Sequence, residues 1–411
     1  MKWNPDITEI AERLPLNPVI VMHSVYAEPV GLGEILARES AVFAGASLHT
    51  MMPMGTAPYA SAGHLQLNTF LPGAGLRDAV NAGRATLHSR PMSELSAYFT
   101  ENAIESNVLL LQLSEPDDDG NMSLGISVDY MPTILAKNPL VIAEINPAMP
   151  LTFGDTIVRE DQVDLAFPAS APPIAMPRLR ADEIDKTVAR NVLKLLKDGA
   201  TLQYGIGAIP EAAIDQLDGF TDIGLQTGFI TDGALAMMDA GVVTNARKPV
   251  DTDKTVTTAA GGSHAFYRAL HRDERFLFKA TDHTHSQNIL SQLDNYFTIN
   301  SALQVDLAGN VNAERVGGKI ISAPGGLPDF ARAGVRSKGG ASIIALRSTS
   351  RRADHSTIVR SFGPETPLTV SPELVTHIVT EYGIAEVAGT SISERAKALR
   401  AIAHPDFRSQ L

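Results

Sequence analysis

Between Glu183 and Lys197 apolar side chains fall at Ile184, Val188, Val192, Leu195 and Leu196, the spacing of one helix face. Asp182 stands where such a helix needs a cap, and Gly199 where it needs a stop. Thr201-Leu202-Gln203-Tyr204 then reads as a short strand, followed by the turn Gly205-Ile206-Gly207-Ala208-Ile209-Pro210 and a helix expected from Glu211. Strand, glycine turn and helix in that order form a βα unit of an open parallel sheet. Val108–Leu113, Leu140–Ile145, Lys319–Ile321 and Ser342–Leu346 are short, mostly apolar runs between turn formers and read as buried strands. Ser391-Ile392-Ser393-Glu394 has the form of a capping box, opening a helix to about His404.

The pattern breaks at Phe167-Pro168-Ala169-Ser170-Ala171-Pro172-Pro173, where clustered prolines forbid regular structure. A chain of 411 residues is too long for one ordinary core. The expectation is therefore an α/β protein of two open α/β domains, residues 1–180 and 181–411.

Composition narrows the function classes. A net charge of −12 disfavours nucleic acid as a partner, since phosphate contacts need lysine and arginine in excess. The sequence has no cysteine, which removes disulfides, thiolate metal sites and a cysteine nucleophile. No apolar run reaches about 18 residues, the length of a spanning helix. Met1-Lys2-Trp3-Asn4-Pro5-Asp6 has no signal-peptide character, so a cytoplasmic protein that meets no membrane is expected.

Two glycine turns are candidates for ligand contact. Gly205, Ile206, Gly207 and Ala208 lie between a strand and a helix, where backbone amides can approach a phosphate or a thioester oxygen. Gly325, Gly326 and Leu327 follow the strand expected at Lys319–Ile321 and offer donors of the same kind. Each segment reads equally well as a plain turn. Asp282-His283-Thr284-His285 contains possible ligands, but lacks the spacing of a zinc site, so no metal is expected. Asp117-Asp118-Asp119-Gly120 reads as a solvated turn with Gly120 at positive φ. There is neither a Gly-x-Ser-x-Gly elbow nor a full dinucleotide fingerprint.

The order of these segments resembles the acetyl-CoA hydrolase/transferase family, part of the class I CoA-transferase superfamily, and within it the 4-hydroxybutyrate CoA-transferases. The resemblance rests on Asn68-Thr69-Phe70, Ala79–Arg84, Ser123–Tyr130, Ile145–Pro150, the Gly205 turn, Asp232-Gly233, Ile299-Asn300-Ser301, Val305–Gly309, Gly325-Gly326, Thr380–Glu386 and Ala403–Phe407. It implies acyl-CoA as ligand, a small carboxylic acid as acceptor for a transferase, a homo-oligomer, and no cofactor beyond coenzyme A as substrate or product. It also implies that both glycine turns contact CoA. In that family a glutamate of the second domain attacks the thioester, giving an anhydride and then a glutamyl-CoA thioester. The glutamate precedes an Asp-Gly pair, and the matching run here is Gly224-Leu225-Gln226-Thr227-Gly228-Phe229-Ile230-Thr231-Asp232-Gly233.

Gly228 thus stands where the nucleophile is expected. Remaining candidates for the chemistry are Glu211, His264, His283 and Asp282, as base or as orienting acid. Three readings follow: thioester hydrolysis or other general-base chemistry, a CoA-transferase that uses another acid, and a non-catalytic acyl-CoA binder. The first is preferred, because glycine cannot form a glutamyl thioester.

Overall fold

The computed structural model describes residues 1–101 and 103–411. The chain forms two compact units, residues 1–177 with 257–283, and residues 178–256 with 284–411. The first crossing falls close to the proline-rich break. The return of 257–283 to the first unit has no counterpart in the expected division at 180.

The first unit is built on Lys2–Trp3 (β1), Val19–Met22 (β2), Ser47–Thr50 (β3), Gln66–Thr69 (β4), Ala85–Leu87 (β5), Val108–Leu113 (β6), Leu140–Ile145 (β7) and Leu165–Pro168 (β8). They form one sheet in the order β1-β8-β7-β6-β2-β3-β4-β5, and every pairing is parallel. All six residues of β6 are buried. That explains why apolar residues run through it without alternation, broken only by Gln112: a central parallel strand is covered on both faces.

The sheet of the second unit contains Thr201–Tyr204 (β9), Gly224–Leu225 (β10), Tyr296–Ser301 (β11), Ala341–Ala345 (β12), His377–Thr380 (β13) and Gly383–Glu386 (β14). Its order is β10-β9-β11-β12-β13-β14, with only the β13–β14 pair antiparallel. Both units are α/β and both sheets are open, as the periodicity indicated. From β9 the chain moves outward to β10, then returns to the other side of β9 as β11. The order of strands therefore reverses between β9 and β11, and open parallel sheets bind ligands at the carboxyl ends of such a pair.

Helix Glu183–Leu193 (α1) carries the predicted cap: the Asp182 carboxylate accepts from the amides of Ile184 and Asp185 at 3.0 Å each. Helix Ala208–Ile214 (α2) starts three residues earlier than its sequence suggested, directly from Gly207 at φ +154°. Leu327–Arg336 (α3) lies against β11 and β12, and a Cβ at Gly334 would come within 2.6 Å of the Ala341 carbonyl oxygen. Helix Ile392–Ile402 (α4) buries Leu399 and Ile402 in the same core as Val305, Ile344 and Ile378. Its capping box is complete: Ser391 Oγ accepts from the Glu394 amide, and Glu394 accepts from the Ser391 amide at 2.9 Å. Ser391→Ala should lower stability by about 1 kcal/mol, read as a lower urea midpoint with an unchanged slope.

One strand expectation needs correction. Lys319–Ile320 is not a buried sheet strand but half of a hairpin with Arg315–Val316, turned by Gly317 and Gly318 at φ +57° and +75°. Two positive-φ residues in a two-residue loop are what such a hairpin requires. Asp117 to Gly120 is the expected turn: Asp117 Oδ1 accepts from the Asp119 and Asn121 amides, and Gly120 has φ +76°.

Candidate functional site

The Gly205 turn stands at the carboxyl end of β9, beside the strand-order reversal. Gly205 donates its amide to Ile299 O at 2.8 Å, which continues the β9–β11 ladder past the last strand residue. A Cβ there would lie 2.9 Å from Asn300 Oδ1. Asn300 itself is locked to Gln203 by two reciprocal amide bonds of 2.9 and 3.0 Å. Glycine at 205 thus lets β9 pass close to a fixed amide pair, and Gly207 supplies a backbone conformation barred to other residues. Ile206 is 48% exposed at the tip of this turn.

Glu211 lies in the first turn of α2 and is nearly buried. The Thr231 hydroxyl donates to its carboxylate, 2.8 and 2.9 Å from the two oxygens. Burial pushes the carboxyl up to about 7, an effect opposed by the Thr231 bond and reinforced by the charges of Asp215 and Asp232. Thr231 in turn donates its amide to the Tyr204 hydroxyl at 3.2 Å.

Gly228 follows β10 by three residues. The preceding residues are held tightly to the sheet: the Gln226 amide donates to Leu202 O, and the Tyr296 hydroxyl donates to Gln226 O at 2.7 Å. Thr227 is buried, and its hydroxyl reaches Tyr204 O at 3.2 Å. Position 228 is therefore fixed in space even without a side chain. The atoms nearest to a Cβ built there are His285 Cε1 and Nε2, both at 3.0 Å, and Phe330 Cε2 at 3.3 Å.

The second glycine loop meets the same ring. A Cβ at Gly326 would fall 2.6 Å from His285 Nε2 and 2.8 Å from Phe330 Cε2. Gly325, at φ +56°, has no described atom within 4 Å of where a Cβ would be. Because Lys319–Ile320 is a hairpin strand, these glycines do not extend a sheet strand; they lead into α3, with Gly326 at its cap and Leu327 as its first residue. Among the histidines of this stretch, His283 is the sequence candidate and His285 is not. In the structure His285 is 2% exposed, tilted at 44° against Phe330 with ring centroids 4.6 Å apart, and its Nδ1 lies 2.9 Å from Thr284 Oγ1. Burial lowers its pKa to about 3, so the ring is neutral near pH 7.

The other candidates belong to the first unit. Asp282 is exposed and His283 half-buried, on the short helix Thr281–Thr284. His264 opens helix His264–Ala269, and its Nε2 lies 3.1 Å from Pro173 O. It lines a pocket of about 530 Å³ with Pro147, Pro150, Arg268 and His271. Among the described residues, no group of three or more His, Asp or Glu is arranged to hold a metal ion, and no helix is long and apolar enough to cross a membrane.

The first unit also holds a buried polar cluster that sequence reading passed over. Asp129 accepts from the hydroxyls of Ser24 and Ser127, and its amide donates to Thr258 Oγ1 at 2.9 Å. His23 Nε2 lies 2.7 Å from Ser127 O. Burial raises the Asp129 carboxyl to about 6 and lowers His23 to about 4. Ser24 follows β2 closely, and strand order reverses between β2 and β6, so this cluster occupies the first sheet's counterpart of the Gly205 position.

Comparison with known proteins agrees with this architecture. Residues 46–174 match the acetyl-CoA hydrolase/transferase N-terminal domain, and residues 262–411 the C-terminal domain of the same family. The 4-hydroxybutyrate coenzyme A transferase of Clostridium kluyveri is 36% identical over 396 residues, 96% of this chain and 92% of that protein. RipA from Yersinia pestis superposes with a TM-score of 0.91 at 27% identity, covering 100% of this chain and 96% of that one. A 4-hydroxybutyrate CoA-transferase from Porphyromonas gingivalis gives a TM-score of 0.84 at 27% identity, with the same coverage. By both its sequence and its fold, the chain belongs to the acetyl-CoA hydrolase/transferase family.

Proposed function

We propose that this enzyme cleaves acyl-CoA thioesters with water as the acceptor, by general-base chemistry and not through a glutamyl-CoA intermediate. The observation that carries the reading is Gly228. The run around it is anchored to the sheet, yet the position has no side chain, and the nearest atoms belong to an imidazole and a phenyl ring. A glutamyl anhydride needs a carboxylate at that place.

The glycine turns would serve binding. Backbone amides around Gly205–Ala208 and the open face of Gly325 suit the pantetheine arm or the thioester carbonyl oxygen. Coenzyme A then enters as part of the substrate and leaves as product, with no further cofactor.

A second reading, a CoA-transferase using another acid, is favoured by Glu211. It is a nearly buried carboxyl held by Thr231, in the same unit and with a pKa raised to about 7. The two are separated by incubating the protein with a panel of acyl-CoAs, with and without acetate, and following free CoA and acyl exchange by mass spectrometry. Release of CoA without acetate is the expected result. Exchange only in the presence of acetate would overturn it in favour of a transferase, and tight binding with neither reaction would leave a binder.

A further inference from the structure

We infer that His285 is the acid–base group of this enzyme, its imidazole filling the space that a side chain at position 228 would otherwise occupy. The inference rests on the hydrolytic reading above and names the residue that serves it. Gly228 and Gly326 come from different segments, yet a Cβ on either would run into the same edge of the same ring, at 3.0 Å from Nε2 in one case and 2.6 Å in the other. Both residues must be small for the ring to sit where it does. The opposite edge faces Thr284, whose Oγ1 is 2.9 Å from Nδ1, and the ring plane leans on Phe330. With the proton on Nδ1 donated to Thr284, the Nε2 lone pair points toward the two glycines.

An imidazole so placed can do what glycine cannot. Nε2 takes a proton from water while the water oxygen bonds to the thioester carbon, and the carbonyl electron pair moves onto its oxygen. As that pair returns, the C–S bond breaks. Sulfur leaves with the bonding electrons and takes the proton back from Nε2. Acyl-CoA and water thus give a carboxylic acid and CoA thiol, and His285 ends neutral, as it began.

Gly228, Gly326, Phe330 and Thr284, which the ring meets, carry no charge. Asp329 precedes Phe330 on α3, while Asp282 and His283 precede Thr284 in the chain. Burial is the cause of the low pKa of the ring. A weakly basic ring is an indifferent base toward bulk water. Beside a thioester oxygen that is becoming negative, its imidazolium is stabilised at the moment the proton moves.

The test is His285→Asn, assayed for acetyl-CoA hydrolysis alongside the unaltered protein. Loss of general-base help should lower kcat by about 100-fold or more with KM little changed. The pH profile of the unaltered protein is a second, independent readout. With His285 as base, kcat/KM should hold level from about pH 8 down to about pH 5, since the ring takes up a proton only near its pKa of about 3. With Glu211 as base it should fall about tenfold per unit below about pH 7. If the unaltered protein hydrolyses and a folded His285→Asn protein does so equally fast, His285 is not the base while the hydrolytic reading stands. If the unaltered protein transfers CoA only to an added acid, the hydrolytic reading falls and the inference with it. Should His285→Asn fail to fold, a profile falling below pH 7 overturns the inference and a level one supports it.

Discussion

Gly228→Glu alone is expected to weaken the fold and to confer no exchange of acetate into acetyl-CoA, whereas Gly228→Glu combined with His285→Gly gains that exchange. A Cβ at 228 starts 3.0 Å from two atoms of His285 and 3.3 Å from Phe330, so the rest of a glutamate side chain has to enter space already taken by the ring. Overpacking of this kind costs about 1–3 kcal/mol. The imidazole cannot retreat toward Phe330, which is itself packed with Leu290, Leu293, Tyr296 and Ala333. Replacing His285 by glycine vacates the volume and lets the carboxylate reach the position where an anhydride can form. Labelled acetate followed into acetyl-CoA, together with thermal melts of both proteins, checks this. A well-folded single variant that exchanges as fast as the double one would mean that the His285 ring does not bar a side chain at 228 from the thioester.

The second large effect is expected at Phe330. It is 3% exposed, belongs to a small apolar cluster and carries His285 on its ring at a centroid distance of 4.6 Å. Phe330→Ala should destabilise the second unit by about 3–5 kcal/mol through the cavity it leaves, a fall in Tm on the order of 10 °C. Catalysis should suffer beyond the loss of folded protein, because the imidazole loses the surface that fixes its plane. Phe330→Leu keeps most of the volume and should recover much of the stability while leaving turnover reduced. Scanning calorimetry with steady-state rates below the transition separates the two effects.

Much of the fold is legible in the residues because its signals are local. The mostly apolar runs of β6 and β7, the Asp182 cap and the Ser391 capping box each depend on neighbours within a few positions. Lys319–Ile321 misleads for the same reason: its isoleucines look like core, but Gly317 and Gly318 fold the strand back on Arg315–Val316 before it can join a sheet. The return of residues 257–283 to the first unit is a tertiary choice that no periodicity records.

The site divides along the same line. Gly205, Gly207, Glu211 and Gly228 stand out because glycine turns, and a glycine where the family resemblance expects an acid, can be seen in one dimension. His285 cannot be seen that way. It shares a four-residue stretch with Asp282 and His283, one exposed and the other half-buried, and what distinguishes it is two distant glycines and a phenylalanine closing around it. The Thr231 bond to Glu211 and the Gln203–Asn300 pair are likewise long-range; each joins residues 20 or more positions apart. His264, singled out as a possible base, lies instead on a proline-lined pocket of the first unit.

In hydrolysis by a general base, the acyl group passes to water without ever being held by a carboxylate of the protein. Many turnovers of acetyl-CoA in heavy-oxygen water, followed by mass analysis of the released acetate and of proteolytic peptides, test it directly. Heavy oxygen should appear in the acetate and in no Asp or Glu side chain, Glu211 included. Heavy oxygen incorporated into an enzyme carboxylate would contradict it, since only an anhydride or thioester on that side chain, opened by water, could put it there.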